Sequence, residues 1–120
     1  MSRLVPDPTP LVVDVADGAD AVVTVRGDLD FPCADVLRVA LTTALDREPA
    51  SLTIDVERLT FIDSTGLAVL VHAWRRGSEA GVPVSLRSVP SFLASILDIT
   101  GVGELLSRPA SAATSDAATA

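Results

Sequence analysis

The chain predicts a single α/β domain: a small mixed sheet of four to five strands with helices packed against it, in the order strand, strand, helix, strand, helix, strand, helix. Three observations carry that prediction. Short apolar runs of period two alternate with longer stretches of period 3.6 along the sequence. An Asp17-Gly18 dipeptide joins the first two strand-like runs and favours a tight antiparallel hairpin. Beyond it, each strand is separated from the next by a helix, which implies parallel pairing through right-handed crossovers.

The first two strand signals run from Leu11 to Ala16 and from Ala21 to Arg26. Gly27-Asp28-Leu29-Asp30 is expected to break the second strand. Pro32 then opens a helix, since its fixed φ and missing N–H suit a first turn. That helix should turn Val36, Leu37, Ala40, Leu41 and Leu45 to the core and end at Pro49. Ser51 to Val56 forms the third strand, followed by a short loop in which Leu59, Phe61 and Ile62 tuck inward. Leu67, Leu70, Val71 and Trp74 recur at i, i+3, i+4 and i+7, the stripe of a second helix with one buried face. Arg75 and Arg76 suit its negative pole, and Gly77 or Gly81 lets the chain leave it. Pro83 to Arg87 is the fourth strand, with proline at a tolerated first position. After Pro90 a third helix buries Phe92, Leu93, Ile96 and Leu97, and Gly101 to Leu106 adds a last helical turn. Residues 1–10, with three prolines, and 108–120, rich in Ala, Ser and Thr, are expected to be flexible tails around a domain over residues 11–107.

With 120 residues the chain can bury a core without disulfides or a metal. Hydrophobic residues make up 48%, but no apolar run approaches the roughly 20 residues of a membrane span. The first residues lack a basic segment followed by an apolar block, so a cytoplasmic location is expected. Nine arginines, no lysine and sixteen acids give a formal net charge of −7, which makes nucleic acid and anionic membranes poor partners. The single cysteine, Cys33, cannot form an internal disulfide; it is either a small buried hydrophobe or a reactive thiol.

The residues offer little to an enzyme. His72, the only histidine, stands eight residues beyond Ser64 on one helix, about 12 Å away along the axis, so the two cannot pair as nucleophile and base. No metal-ligand cluster is evident, and a Walker A loop needs a lysine. What stands out is the run Phe61-Ile62-Asp63-Ser64-Thr65-Gly66-Leu67, where a strand-like segment turns into the second helix. Asp63 or Ser64 can cap that helix, and a hydroxyl there lies at its positive end, where an anion is welcome. Asp28 and Asp30, at the end of the second strand, either serve as turn and cap residues or lie near this start.

Gly27-Asp28-Leu29-Asp30 after a strand, Leu52-Thr53-Ile54-Asp55 as the next, Asp63-Ser64-Thr65-Gly66-Leu67 at a helix start and Leu97 to Val102 near the end together resemble the STAS domain of bacterial anti-sigma factor antagonists. The resemblance spans about residues 11 to 107. It implies that Ser64 is the phosphoacceptor, with Thr65 a second candidate, and that Asp28, Asp30, Asp63, Thr65, Gly66 and Leu67 belong to the partner-binding surface. It further implies that the partner is an anti-sigma factor with a serine-kinase fold; from the missing catalytic and ligand sets we expect no enzymatic activity, cofactor or metal, and we expect a monomer when free. Unphosphorylated, such a domain binds the anti-sigma factor and frees the sigma factor; phosphorylation ends the binding. The alternative within this fold is a STAS regulatory subunit of a transporter such as a lipid ABC complex. The sequence departs from the commonest family pattern at Asp28 (usually Glu), Thr65 (often Ser) and Ala68 (often Gly), and none of these removes the acceptor hydroxyl.

Overall fold

A computed structural model gives the structure of the protein, with residues 9–101 described. The last helical turn, which the sequence places over residues 101–106, lies outside that range but for Gly101, and so do the tails but for Thr9 and Pro10. The elements are β1 (Val12–Ala16), β2 (Asp20–Leu29), α1 (Ala34–Asp46), β3 (Ser51–Ile62), α2 (Ser64–Ala80), β4 (Val84–Arg87) and α3 (Ser91–Thr100). The four strands form one sheet in the order β1-β2-β3-β4. β1 pairs antiparallel with β2 across the Asp17-Gly18 hairpin, while β2–β3 and β3–β4 are parallel. This is the mixed sheet and element order that the alternation of periods predicts.

The core lies between the sheet and its helices. Val23, Val25 and Leu29 from β2 and Leu52, Ile54 and Val56 from β3 are fully buried, together with Leu37, Leu70 and Leu93 from the three helices. Burial of each such side chain contributes on the order of 1.5–3 kcal/mol before entropy is counted. α2 ends where Gly81 adopts a left-handed conformation at φ 76°, so Gly81 and not Gly77 lets the chain leave. Gly77 is instead buried in the helix, where a Cβ would overlap Val84 of β4.

Several expectations need correction. The Gly27-Asp28-Leu29-Asp30 segment does not break β2, which continues to Leu29 with register shifts between Thr24 and Arg26 and between Gly27 and Asp28. The loop expected after Val56 is likewise strand, since β3 runs on to Ile62 beside that extended β2. The bulges reset the side-chain alternation there: Leu59 and Ile62 are buried, but Phe61 points out and is 49% exposed. In α1 the buried face is Ala34, Leu37, Leu41, Ala44 and Leu45. Val36, expected inside, is one 100° step off that face and exposed, and Ala40 is half-buried. Pro32 lies in the turn before α1 and not in its first turn. The stripe of α2 is rotated in the same way. Gly66, Val69, Leu70, Ala73 and Gly77 face the core, and Leu67, Val71 and Trp74 pack half-buried at its margins. On α3, Leu93 and Leu97 are buried, Ile96 half-buried and Phe92 exposed.

Candidate functional site

α1 and α2 both follow strands that run parallel, so both start at the same end of the sheet. Asp63 joins the two starts. Its backbone is extended (φ −111°, ψ −175°), the conformation of a helix cap, and its Oδ1 accepts a hydrogen bond from the Gly66 N–H at 2.9 Å. Its Oδ2 accepts from the Phe31 N–H at 2.8 Å, across to the segment that leads into α1. The Asp63 N–H donates to the Leu29 carbonyl at 3.2 Å, which fixes the same junction to the end of β2. Gly66 lets α2 approach this closely: a Cβ there would stand 2.5 Å from the Leu29 carbonyl oxygen and 2.7 Å from Leu29 Cγ.

Ser64 is the first residue of α2 and is exposed, whereas Thr65 and Leu67 are half-buried and Gly66 is buried. Its hydroxyl therefore stands in solvent at the positive end of a 17-residue helix. Beside it runs an open groove between α1 and α2. Phe31, Asp35 and Arg38 form one wall, and Ser64, Leu67 and Val71 form the other. Phe31 is 74% exposed, so the groove offers an aromatic ring next to the serine. His72 and Arg75 lie farther along α2 on the same groove.

The two strand-end aspartates do not share in this groove. Asp28 ties segments together: its Oδ2 accepts from the Thr9 N–H at 3.0 Å and its Oδ1 from the Thr60 hydroxyl at 2.6 Å. Asp30 caps α1 through its backbone, the carbonyl accepting from the Cys33 and Ala34 N–H groups at 3.0 and 2.8 Å. Cys33, half-buried, has its thiol held above the ordinary range by desolvation and by the neighbouring carboxylates of Asp30 and Asp28, which disfavours the thiolate. Sequence reasoning thus finds Ser64, Thr65 and Leu67 on the groove and Asp63 and Gly66 beneath it. It misses Phe31, Asp35 and Arg38. An aromatic followed by proline before a helix is the one local signal for Phe31; the contact that places it spans 32 residues. Among the described residues no three His, Cys, Asp or Glu side chains converge as metal ligands.

A mixed four-stranded sheet whose crossover helix presents a capped, solvent-facing serine beside an open groove defines a small α/β domain with its exposed site at one end. The chain belongs to the STAS domain family: residues 7–107 match the family described as "Mlab, STAS domain". It is 31% identical over 87 residues to the anti-sigma-B factor antagonist of Bacillus subtilis (strain 168), covering 72% of this chain and 79% of that protein. Its fold is similar to the crystal structure of an anti-sigma factor antagonist from Mycobacterium paratuberculosis, with a TM-score of 0.70 and 26% identity over 83% of this chain and 86% of that one. It also resembles the fold of the antagonist SpoIIAA in its unphosphorylated form, with a TM-score of 0.65 and 20% identity over 80% and 84% of the two chains.

Proposed function

We propose that this domain is an anti-sigma factor antagonist switched by phosphorylation of Ser64. Unphosphorylated, it binds an anti-sigma factor of serine-kinase fold and so frees the sigma factor. The bound kinase then transfers the γ-phosphoryl group of ATP to the Ser64 oxygen, releasing ADP and the hydroxyl proton, and the complex parts. The observation that carries this reading is the exposure of Ser64 at the capped start of α2, on the lip of a groove. A kinase reaches that oxygen without any unfolding. Thr65, the second candidate, is half-buried and presents a poorer target. Asp63, Gly66, Leu67 and Phe31 shape the docking surface, while Asp28 and Asp30 act on it only by holding the strand end and the start of α1.

The physics of the switch is local. A phosphate adds about −1.5 to −2 charges at neutral pH. In the free domain the helix start supplies positive potential for it. In a complex that covers Phe31, Leu67 and Val71 the same dianion must be desolvated, with the Asp63 carboxylate already adjacent, so binding weakens without refolding. Relatives of similar length named as anti-sigma factor antagonists favour this reading over a transporter's regulatory subunit. Incubating the protein with its cognate anti-sigma factor and ATP should add one phosphate to wild type and none to Ser64→Ala by intact mass. Equal gain in both would assign the acceptor elsewhere.

A further inference from the structure

We propose that Arg38 is a positioning residue for the phosphorylated state, exchanging Asp35 for the phosphate on Ser64. This inference rests on phosphorylation at Ser64. Arg38 stands one turn into α1, and its guanidinium folds back toward the helix start, where Nε and Nη2 both donate to Asp35 Oδ1 at 2.9 and 2.7 Å. The start of α1 is held beside the start of α2 by the Asp63–Phe31 bond, and the guanidinium, folded back onto Asp35 in the first turn of α1, lines the same groove as Ser64. The Asp35–Arg38 pair is weakly held: the two side chains are 77% and 49% exposed, and such pairs contribute little.

A phosphate dianion outcompetes a single carboxylate oxygen. It carries more charge, and its oxygens match the guanidinium fork bidentately. The other charges on the groove cannot substitute. Asp35 and Asp63 repel a phosphate. His72 and Arg75 lie about 12 and 16 Å along α2 from Ser64. Asp30, just after β2, has its carboxylate beside the Cys33 thiol. Phosphorylation therefore has a second consequence besides added charge: it releases the Asp35 carboxylate at the groove mouth and draws Arg38 across it.

The test installs phosphoserine at position 64 during translation, so it needs no kinase and no partner, and its failure leaves the partner-binding readout of the switch untouched. The second ionisation of the phosphate is followed by 31P NMR against pH. Wild type should titrate about half a unit lower than Arg38→Gln, the order of one exposed ion pair. Arg38→Lys should keep part of the shift, and Arg75→Gln, which removes the same charge farther away, should leave the wild-type value. The proposal is overturned if Arg38→Gln titrates with wild type, or if Arg75→Gln moves the value as far. Superimposable amide spectra of the unphosphorylated variants establish that all are folded.

Discussion

The starts of α1 and α2 lie side by side and are built in opposite ways. α2 is capped by its own aspartate, with Gly66 pressed against the end of β2. The cap position of α1 is held by Cys33, whose backbone is helical (φ −106°, ψ −11°) and whose side chain makes no capping bond. It leans on the Asp30 carbonyl and, through Phe31, on the cap of the other helix. One carboxylate thus sets both starts, so Ser64 and the loop that carries the exposed Phe31 form a single surface. A self-sufficient helix start fixes the chemistry, and a dependent one is held in register with it.

The sharpest way to break this contrast is Gly66→Ala. Its methyl group meets backbone, not a flexible side chain, so the junction must open; the expected loss is about 3 kcal/mol by denaturant unfolding, at the upper end of overpacking. Next is Asp63→Ala, which removes the cap and the Phe31 anchor together. About 2 kcal/mol should go, with the Phe31 and Gly66 amide resonances shifting jointly. Asp63→Asn retains one acceptor oxygen and should lose about half as much. If only the Gly66 amide responds, the two starts are independent. Cys33→Ser offers α1 a good capping residue, but the helical backbone at that position directs the hydroxyl away from the orphan N–H groups, so stability should change by less than about 0.5 kcal/mol.

The smallest effect lies away from both starts. Asp55 on β3 accepts from the Glu57 N–H and pairs with Arg87 of β4 at 2.8 Å, and these contacts hold its carboxyl below the ordinary carboxylate value despite partial desolvation. A depressed folded-state pKa contributes stability that is present above the unfolded value near 3.9 and lost as pH falls through the folded one. Asp55→Asn should therefore cost up to about 1 kcal/mol at pH 7, with the difference from wild type shrinking on acidification below pH 4.

Fold class, element order and the cap at Asp63 were legible because they depend on local patterns: period, hairpin chemistry, a short acid before a helix. What was not legible depends on contacts distant in sequence or on small residues. Rules that count large apolar side chains placed Leu67, Val71 and Trp74 at the centre of the buried face of α2. Gly66, Ala73 and Gly77 hold that centre, because small residues let the helix approach the sheet closely. Strict alternation ended β3 at Val56, since the bulges in its pairing with β2 interrupt the period before the strand resumes to Ile62. At the site, Ser64 could be found from its motif, whereas Phe31 and Arg38 could not, because the Asp63–Phe31 bond that sets the start of α1 beside that of α2 joins residues far apart in the chain.

In the proposed switch, charge at Ser64, and not a change of fold, governs docking. Titration calorimetry of Ser64→Ala and Ser64→Asp against the cognate anti-sigma factor tests it most directly, with amide spectra recorded for both. The alanine variant should bind like wild type and the aspartate variant at least tenfold more weakly, with nearly identical spectra away from residues 63–67. Equal affinities, or a spectrum altered throughout the domain, would contradict it.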